Sequence, residues 1–245
     1  MNYIIHAHHL CKIFPVEKDL VSSYRFLRDI FTPYPNHVGT FTALENIEIE
    51  VMRGERVGLI GDNGAGKTTL LKVIAGLYKP NKGTLSVNGT VTLLAGLGIG
   101  MLEELSVREN TILYGVIYGV ARGEMVRNLD EILAWAELQD FAAAKLKTLS
   151  SGMKTRLAFS ASRYIDSDIH LYDEVSTAGD KNFIQKCEAV FESYKSTNKT
   201  FIVASHSLDF VKTFCTKALW LHKGRQVGFG DVDTILAQYQ ETQAK

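Results

Sequence analysis

The run Gly61-Asp62-Asn63-Gly64-Ala65-Gly66-Lys67-Thr68 constrains this chain more than any other feature. Its three glycines let the backbone curl until successive N–H groups point inward, where phosphate oxygens can accept them. The short apolar run Arg56 to Ile60 precedes it and suits a buried strand. KTTLLKVIAGLY follows and has a helical pattern. Strand, glycine loop and helix is the context that a phosphate-binding loop requires, because the helix start adds partial positive charge. In such a loop Lys67 reaches the β- and γ-phosphates, and the Thr68 hydroxyl binds Mg²⁺. Thr69 completes the set that faces the nucleotide.

The rest of the chain fits an α/β fold. Phe41 to Val51 alternates like a strand, and turn signals at Pro80–Gly83 and Asn88-Gly89 bracket short strands. From about Ser106 to Tyr164 the signals are helical. Ser106 and Glu109 form a capping-box pattern, and Glu124 to Leu138 reads as one helix. Strands and helices then alternate: Ile169 to Tyr172, Phe183 to Tyr194, Thr200 to Ala204, a hairpin at Lys223-Gly224, and a last helix from Val232. This order implies a mainly parallel core sheet, an antiparallel β subdomain and an inserted helical lobe. The expected division is one domain over 1–245, with its core at about 1–95 and 166–245 and the lobe at about 96–165. An N-terminal insertion at about 17–40 contains a short helix over 17–31, ended by Pro33 and Pro35.

Composition excludes several functions. The 245 residues carry 27 basic and 27 acidic side chains, so no global basic field exists to hold nucleic acid. Cys11, Cys187 and Cys215 have the spacing of neither a zinc site nor a redox pair, and read as reduced thiols. MNYIIHAHHL lacks the pattern of a secretory signal. The most apolar stretch, Val91 to Leu102, falls short of the roughly 20 residues a membrane helix needs. A membrane role must therefore be peripheral or act through a partner. His6, His8 and His9 suggest a metal cluster, but strand alternation would put His6 and His8 on one face and His9 on the other.

Asp173-Glu174 closes the run IHLY. A carboxylate at the end of a buried strand lies in the crevice where α/β sheets bind ligands. Asp173 is placed to hold Mg²⁺, and Glu174 to orient and polarise an attacking water. His170, inside the same run, is read as a structural histidine.

LSSGM, Leu149 to Met153, begins another helical segment. Ser150, Ser151 and Gly152 offer hydroxyl and N–H donors at a positive helix end. The order of phosphate loop, LSSGM, Asp-Glu and Ser205-His206 resembles the ATPase subunits of ABC transporters. That resemblance implies ATP and Mg²⁺ as ligands and a homodimer, in which one subunit's LSSGM grips the γ-phosphate of ATP held by the other. It also implies that His206 contacts the γ-phosphate, that Asp180 lies in the loop joining the subunits, and that Phe14 stacks on adenine. One departure stands out. Where the family carries a cation-binding glutamine, this chain has Gly96 or Leu97, and only Glu103 or Glu104 nearby could substitute.

LSSGMKTRLAF, DEVSTAGD and SHSLDFVKTFC further resemble the exporters of capsular polysaccharide and O-antigen, with the teichoic acid exporters as close relatives. The implied role is ATP-driven export of a lipid-linked polysaccharide at the cytoplasmic face of the cell membrane. The swing would pass to a separate integral permease through the helical lobe and the loop at Gly96 to Glu104. Leu20, Tyr24, Leu27 and Phe31 share a helical face beside Arg25 and Arg28, which suits either packing on the sheet or the entrance for a lipid-linked glycan. Two rivals are a soluble ABC ATPase acting on ribosomes or DNA and a non-hydrolysing regulatory module.

Overall fold

The computed structural model describes residues 3–16, 39–95, 100–173 and 181–243. The expected helix over 17–31 lies outside them. Among the described residues the strands are β1 (Tyr3–Val16), β2 (Gly39–Met52), β3 (Arg56–Ile60), β4 (Lys82–Val87), β5 (Val91–Ala95), β6 (Ile169–Asp173), β7 (Thr200–Ala204), β8 (Lys217–His222) and β9 (Arg225–Asp231). They form one nine-stranded sheet in the order β4-β1-β2-β9-β8-β3-β7-β6-β5. The half from β8 to β5 is parallel, while β4, β1 and β2 pair antiparallel. The fold is therefore α/β with a mixed sheet.

Alternation along the central strands sorts side chains to two faces. Phe201 and Val203 of β7, with Tyr172 of β6, enter a cluster rich in aromatics that includes Phe159, Phe191 and Phe214. Ile202 and Ala204, with Ile169 and Leu171, enter an aliphatic cluster. Helix α1 (Lys67–Ile74) covers that second face through Leu70, Leu71, Val73 and Ile74. Burying each large apolar side chain contributes about 1.5–3 kcal/mol, which fixes α1 and the loop before it against the sheet.

Between β5 and β6 the described elements are helical apart from a single bridge, Ser106 to Lys145. α2 (Val107–Ile117) starts with the expected capping box. The helix expected over Glu124–Leu138 is instead two, α3 (Arg122–Arg127) and α4 (Leu129–Ala136). Asn128 sits between them at φ −92°, ψ 0°, off the helical path. The second helix stops at Ala136 because Glu137 turns left-handed (φ 60°) and Leu138 N–H reverts to Leu133 C=O at 2.9 Å. These helices and α5 (Ser151–Ser162) enclose a separate apolar cluster of Val107, Leu129, Leu133, Leu146, Leu149 and Leu157. After β6 come α6 (Lys181–Tyr194), α7 (Leu208–Phe214) and α8 (Val232–Gln243).

Alternation breaks repeatedly along β1, whose pairing with β2 shifts register at four places. The β1–β2 register shifts between Ala7 and Leu10, and His9 has φ 49°. This bulge puts the His8 and His9 rings on one side, with centroids 4.0 Å apart, and so overturns the sequence expectation that they face opposite ways.

Candidate nucleotide-binding site

Strand order assembles the site. β7 lies between β3 and β6, with Ala204 in register with both Leu59 and Asp173. The C-terminal ends of β3, β6 and β7 therefore lie side by side. From β3 comes the glycine loop, at the end of β6 stands Asp173, and after β7 come Ser205 and His206. This is the end of a parallel sheet where ligands bind.

The loop cannot tolerate other residues at two of its glycines. Gly61 has φ 137°, and a Cβ there would lie 2.1 Å from the Leu221 carbonyl oxygen of β8. Gly66 has φ 106° and would meet the Ala43 carbonyl at 2.9 Å. The expected β8–β9 hairpin turn clamps the loop from outside, since Gly224 N–H donates to Ala65 C=O at 3.0 Å. Gly66 also caps α1 without any side-chain hydrogen bond, so no side chain of its own occupies the first N–H groups of the helix.

Lys67 is 5% exposed. Its Nζ donates to Gly61 C=O at 2.7 Å and to Asp62 C=O at 3.1 Å, which holds the ammonium across its own loop. Beside it lies a cavity of about 230 Å³, lined by Asn63 through Thr69 together with Phe41 and Ala43. A buried cation, N–H groups at a helix start and an adjoining cavity make a receptor for a polyanion. Thr68 Oγ1 donates to Asp173 Oδ2 at 2.6 Å. A hydroxyl and a carboxylate brought together at the cavity edge are hard oxygen donors that fit Mg²⁺.

A family model described as ABC transporter matches residues 44–177, more than half of the chain. The chain belongs to the ABC transporter family. It is 38% identical over 242 residues to the teichoic acids export ATP-binding protein TagH of Bacillus anthracis, an alignment covering 98% of this chain and 43% of that protein. It is 36% identical over 239 residues to the O-antigen export system ATP-binding protein RfbB of Myxococcus xanthus, covering 91% of this chain and 55% of that one. The chain thus spans about half the length of these relatives. Among solved structures, a dimeric ATP-binding cassette in a post-hydrolysis state bound to ADP and Pi aligns with TM-score 0.74 at 20% identity, covering 93% of this chain and 98% of that one. That likeness shows the shared fold.

The other residues expected to act in this ABC domain are distributed as follows. Ser150 is the N-cap of α5, and its hydroxyl accepts from Met153 N–H at 3.3 Å. Ser151 opens the helix, and a Cβ added to Gly152 would meet nothing within 4 Å, so this helix start is open to approach. None of the three lines the cavity at the phosphate loop. His206 follows β7 and is exposed. Glu174, Asp180, Gly96 and Leu97 lie outside the described residues. Glu103 and Glu104 are engaged elsewhere: Glu103 pairs with Lys154 at 3.1 Å, and Glu104 with Lys145 and Lys147 at 2.9 and 2.8 Å. His170 is buried, and its Nε2 meets Ser167 C=O at 3.1 Å. Burial pushes its pKa down to about 4, so it is neutral and structural.

Phe14 does not line the cavity. It packs edge-on against Tyr78, with ring centroids 5.2 Å apart, under Lys12 Nζ. The aromatic in the cavity wall is Phe41, its direct cross-strand partner, 55% exposed. Paired residues of antiparallel strands project from one face, and of these two it is Phe41 that lines this cavity. Sequence reasoning also passed over Asn110. Fully buried, it takes Leu102 N–H at 2.7 Å and donates to the carbonyls of Leu102, Leu105 and Ser106, which ties down the chain entering α2. Its only signal was an amide on the inward side of an apolar helix.

Proposed function

We propose that this chain binds and hydrolyses ATP as one half of a two-copy nucleotide sandwich and drives export of a polysaccharide. The observation that carries this reading is the 2.6 Å contact between Thr68 and Asp173 at a glycine loop whose buried Lys67 faces the cavity. In it, the loop N–H groups and Lys67 bind the phosphates, and Phe41 takes the adenine ring in place of Phe14. Thr68 and Asp173 hold Mg²⁺, which neutralises phosphate charge when bound. Glu174 accepts a proton from the attacking water, and His206 steadies the γ-phosphate. Ser150, Ser151 and Gly152 of one copy close the site of the other, with Asp180 at the joint.

The substrate class is inferred from the roles of the relatives, teichoic acids export and O-antigen export. A capsular polysaccharide belongs to the same chemical class, a long lipid-linked glycan, and is the finer alternative within it. No helix among the described residues is long and apolar enough to cross a membrane. Export then needs an integral permease, docked at the cytoplasmic face. Residues 96–165 act as a helical lobe, and exposed Leu102, Ile117 and Phe141 on it support docking there.

The direct test is the ATPase rate of Glu174→Gln against the parent, in membranes with the co-purifying integral protein. Loss of a positioned general base lowers turnover by about 10²–10⁴-fold. A parent no faster than the variant would refute hydrolysis. Co-purification with no integral membrane protein would refute export.

A further inference from the structure

The bulge in β1 gathers groups that the nucleotide site does not use. Glu48 of β2 reaches both rings: its Oε2 is 2.9 Å from His8 Nδ1, and its Oε1 is 2.9 Å from His9 Nδ1. The His9 amide donates to the same carboxylate at 2.7 Å, and Asn46 Oδ1 stands 2.6 Å from His9 Nδ1. One ligand atom each from His8, His9 and Glu48 lie within 4.8 Å of one another.

Backbone strain accompanies the arrangement. His9 has φ 49° and Asn46 has φ 52°, both left-handed and neither glycine. Such residues persist only where their surroundings hold them. A regular strand would have avoided the strain and separated the two histidines. As a hydrogen-bonded knot the cluster uses an Nδ1 proton on each ring. With those protons gone, the same atoms offer two imidazole lone pairs and a carboxylate oxygen to one point.

We propose that His8, His9 and Glu48 form a binding site for a borderline divalent transition-metal ion, with Zn²⁺ as its representative. Two imidazoles and one carboxylate are a three-ligand zinc set, with a fourth position for Asn46 Oδ1 or water. The set discriminates against Mg²⁺, which takes oxygen ligands and keeps several waters. The site is therefore chemically distinct from the Thr68–Asp173 pair. Both histidines are exposed, so an ion enters directly from solvent.

Titration of Zn²⁺ into the chelator-stripped, nucleotide-free full chain, in competition with a chromogenic chelator, tests this. The parent takes up one ion per chain at this site. His8→Ala, Glu48→Gln and His9→Asn weaken that uptake by more than about tenfold, the range seen when only supporting groups are removed. Asparagine at position 9 tolerates the left-handed backbone, so the fold is kept. His6→Ala and Cys11→Ser leave uptake unchanged, since His6 pairs instead with Glu50 and the Cys11 thiol is a neighbour outside the ligand set. Absence of uptake by the parent, unchanged uptake in the three ligand variants, or loss in Cys11→Ser would each overturn the site.

Discussion

Two helix N-termini in this protein are rich in glycine or serine, and they are built differently. α1 begins at Gly66, a left-handed residue with no side chain, so no side chain caps its first N–H groups. A buried lysine and a cavity stand beside it. α5 begins at Ser150, which caps its own helix by accepting from Met153 N–H, and neither it nor its neighbours line that cavity. The first start has the donors, the cation and the space for a phosphate within one chain. The second is a finished surface that can only add to something brought to it. This difference is the physical reason for reading the two as halves of a site completed between copies.

The largest expected effect lies at the first start. Lys67→Ala removes the only buried cationic side chain among the described residues. Loss of one preorganised donor to a developing charge costs about 10²–10³-fold in turnover. ATPase measurement checks this, and a variant retaining most of the parental rate would break the claim that this start carries the charge.

A smaller effect is expected at the second. Ser150→Ala removes a helix cap and lowers stability by about 1 kcal/mol, seen as a modest fall in the urea midpoint. ATP binding to the monomer should be unchanged, because Ser150 does not line the cavity. Weakened monomer binding would mean that α5 serves its own chain's nucleotide and would erase the contrast.

The smallest effect concerns the strand that carries Asp173. Just before β6, Asp168 accepts from Arg53 at 2.5 Å and from Thr90, and these contacts hold its pKa down to about 2. A carboxyl lowered in the folded state stabilises above its ordinary value, and this contribution is lost as pH falls from about 4 toward 2. Asp168→Asn should therefore flatten the acid limb of stability over that window, leaving the α5 start unaffected. An unchanged acid limb, followed by circular dichroism, would detach this anchor from the phosphate-loop half.

The phosphate-loop half was legible because its chemistry is local. Gly61, Gly66, Lys67 and Thr68 are set by backbone conformation within one turn, and strand–loop–helix reads directly from an apolar run followed by a helical period. That β3, β6 and β7 belong to a mainly parallel sheet followed from alternation of strands and helices, but their order in it did not. Where register matters, legibility ended. Phe14 and Phe41 are cross-strand partners, and only the path of β1 beside β2 decides which one reaches the cavity. The same holds for His8 and His9, whose shared side depends on one left-handed residue. The break at Asn128 and the left-handed Glu137 are likewise single-residue dihedral choices. Glu137 is held by Lys186 and Arg156 at 2.5 and 2.7 Å, groups far from it in sequence that no local pattern shows.

The central claim is that one copy's α5 start completes the site at the other copy's α1 start. It is tested by mixing two inactive chains. Lys67→Ala disables the phosphate loop and leaves α5 intact. Gly152→Asp puts a negative charge at the α5 start, at a position with nothing within 4 Å to disturb. Neither variant alone should hydrolyse ATP. In an equal mixture half of the pairs are mixed, and each holds one intact site, so turnover should return to about a quarter of the parental rate for random pairing of a two-fold dimer. A mixture as inactive as its components would contradict the account.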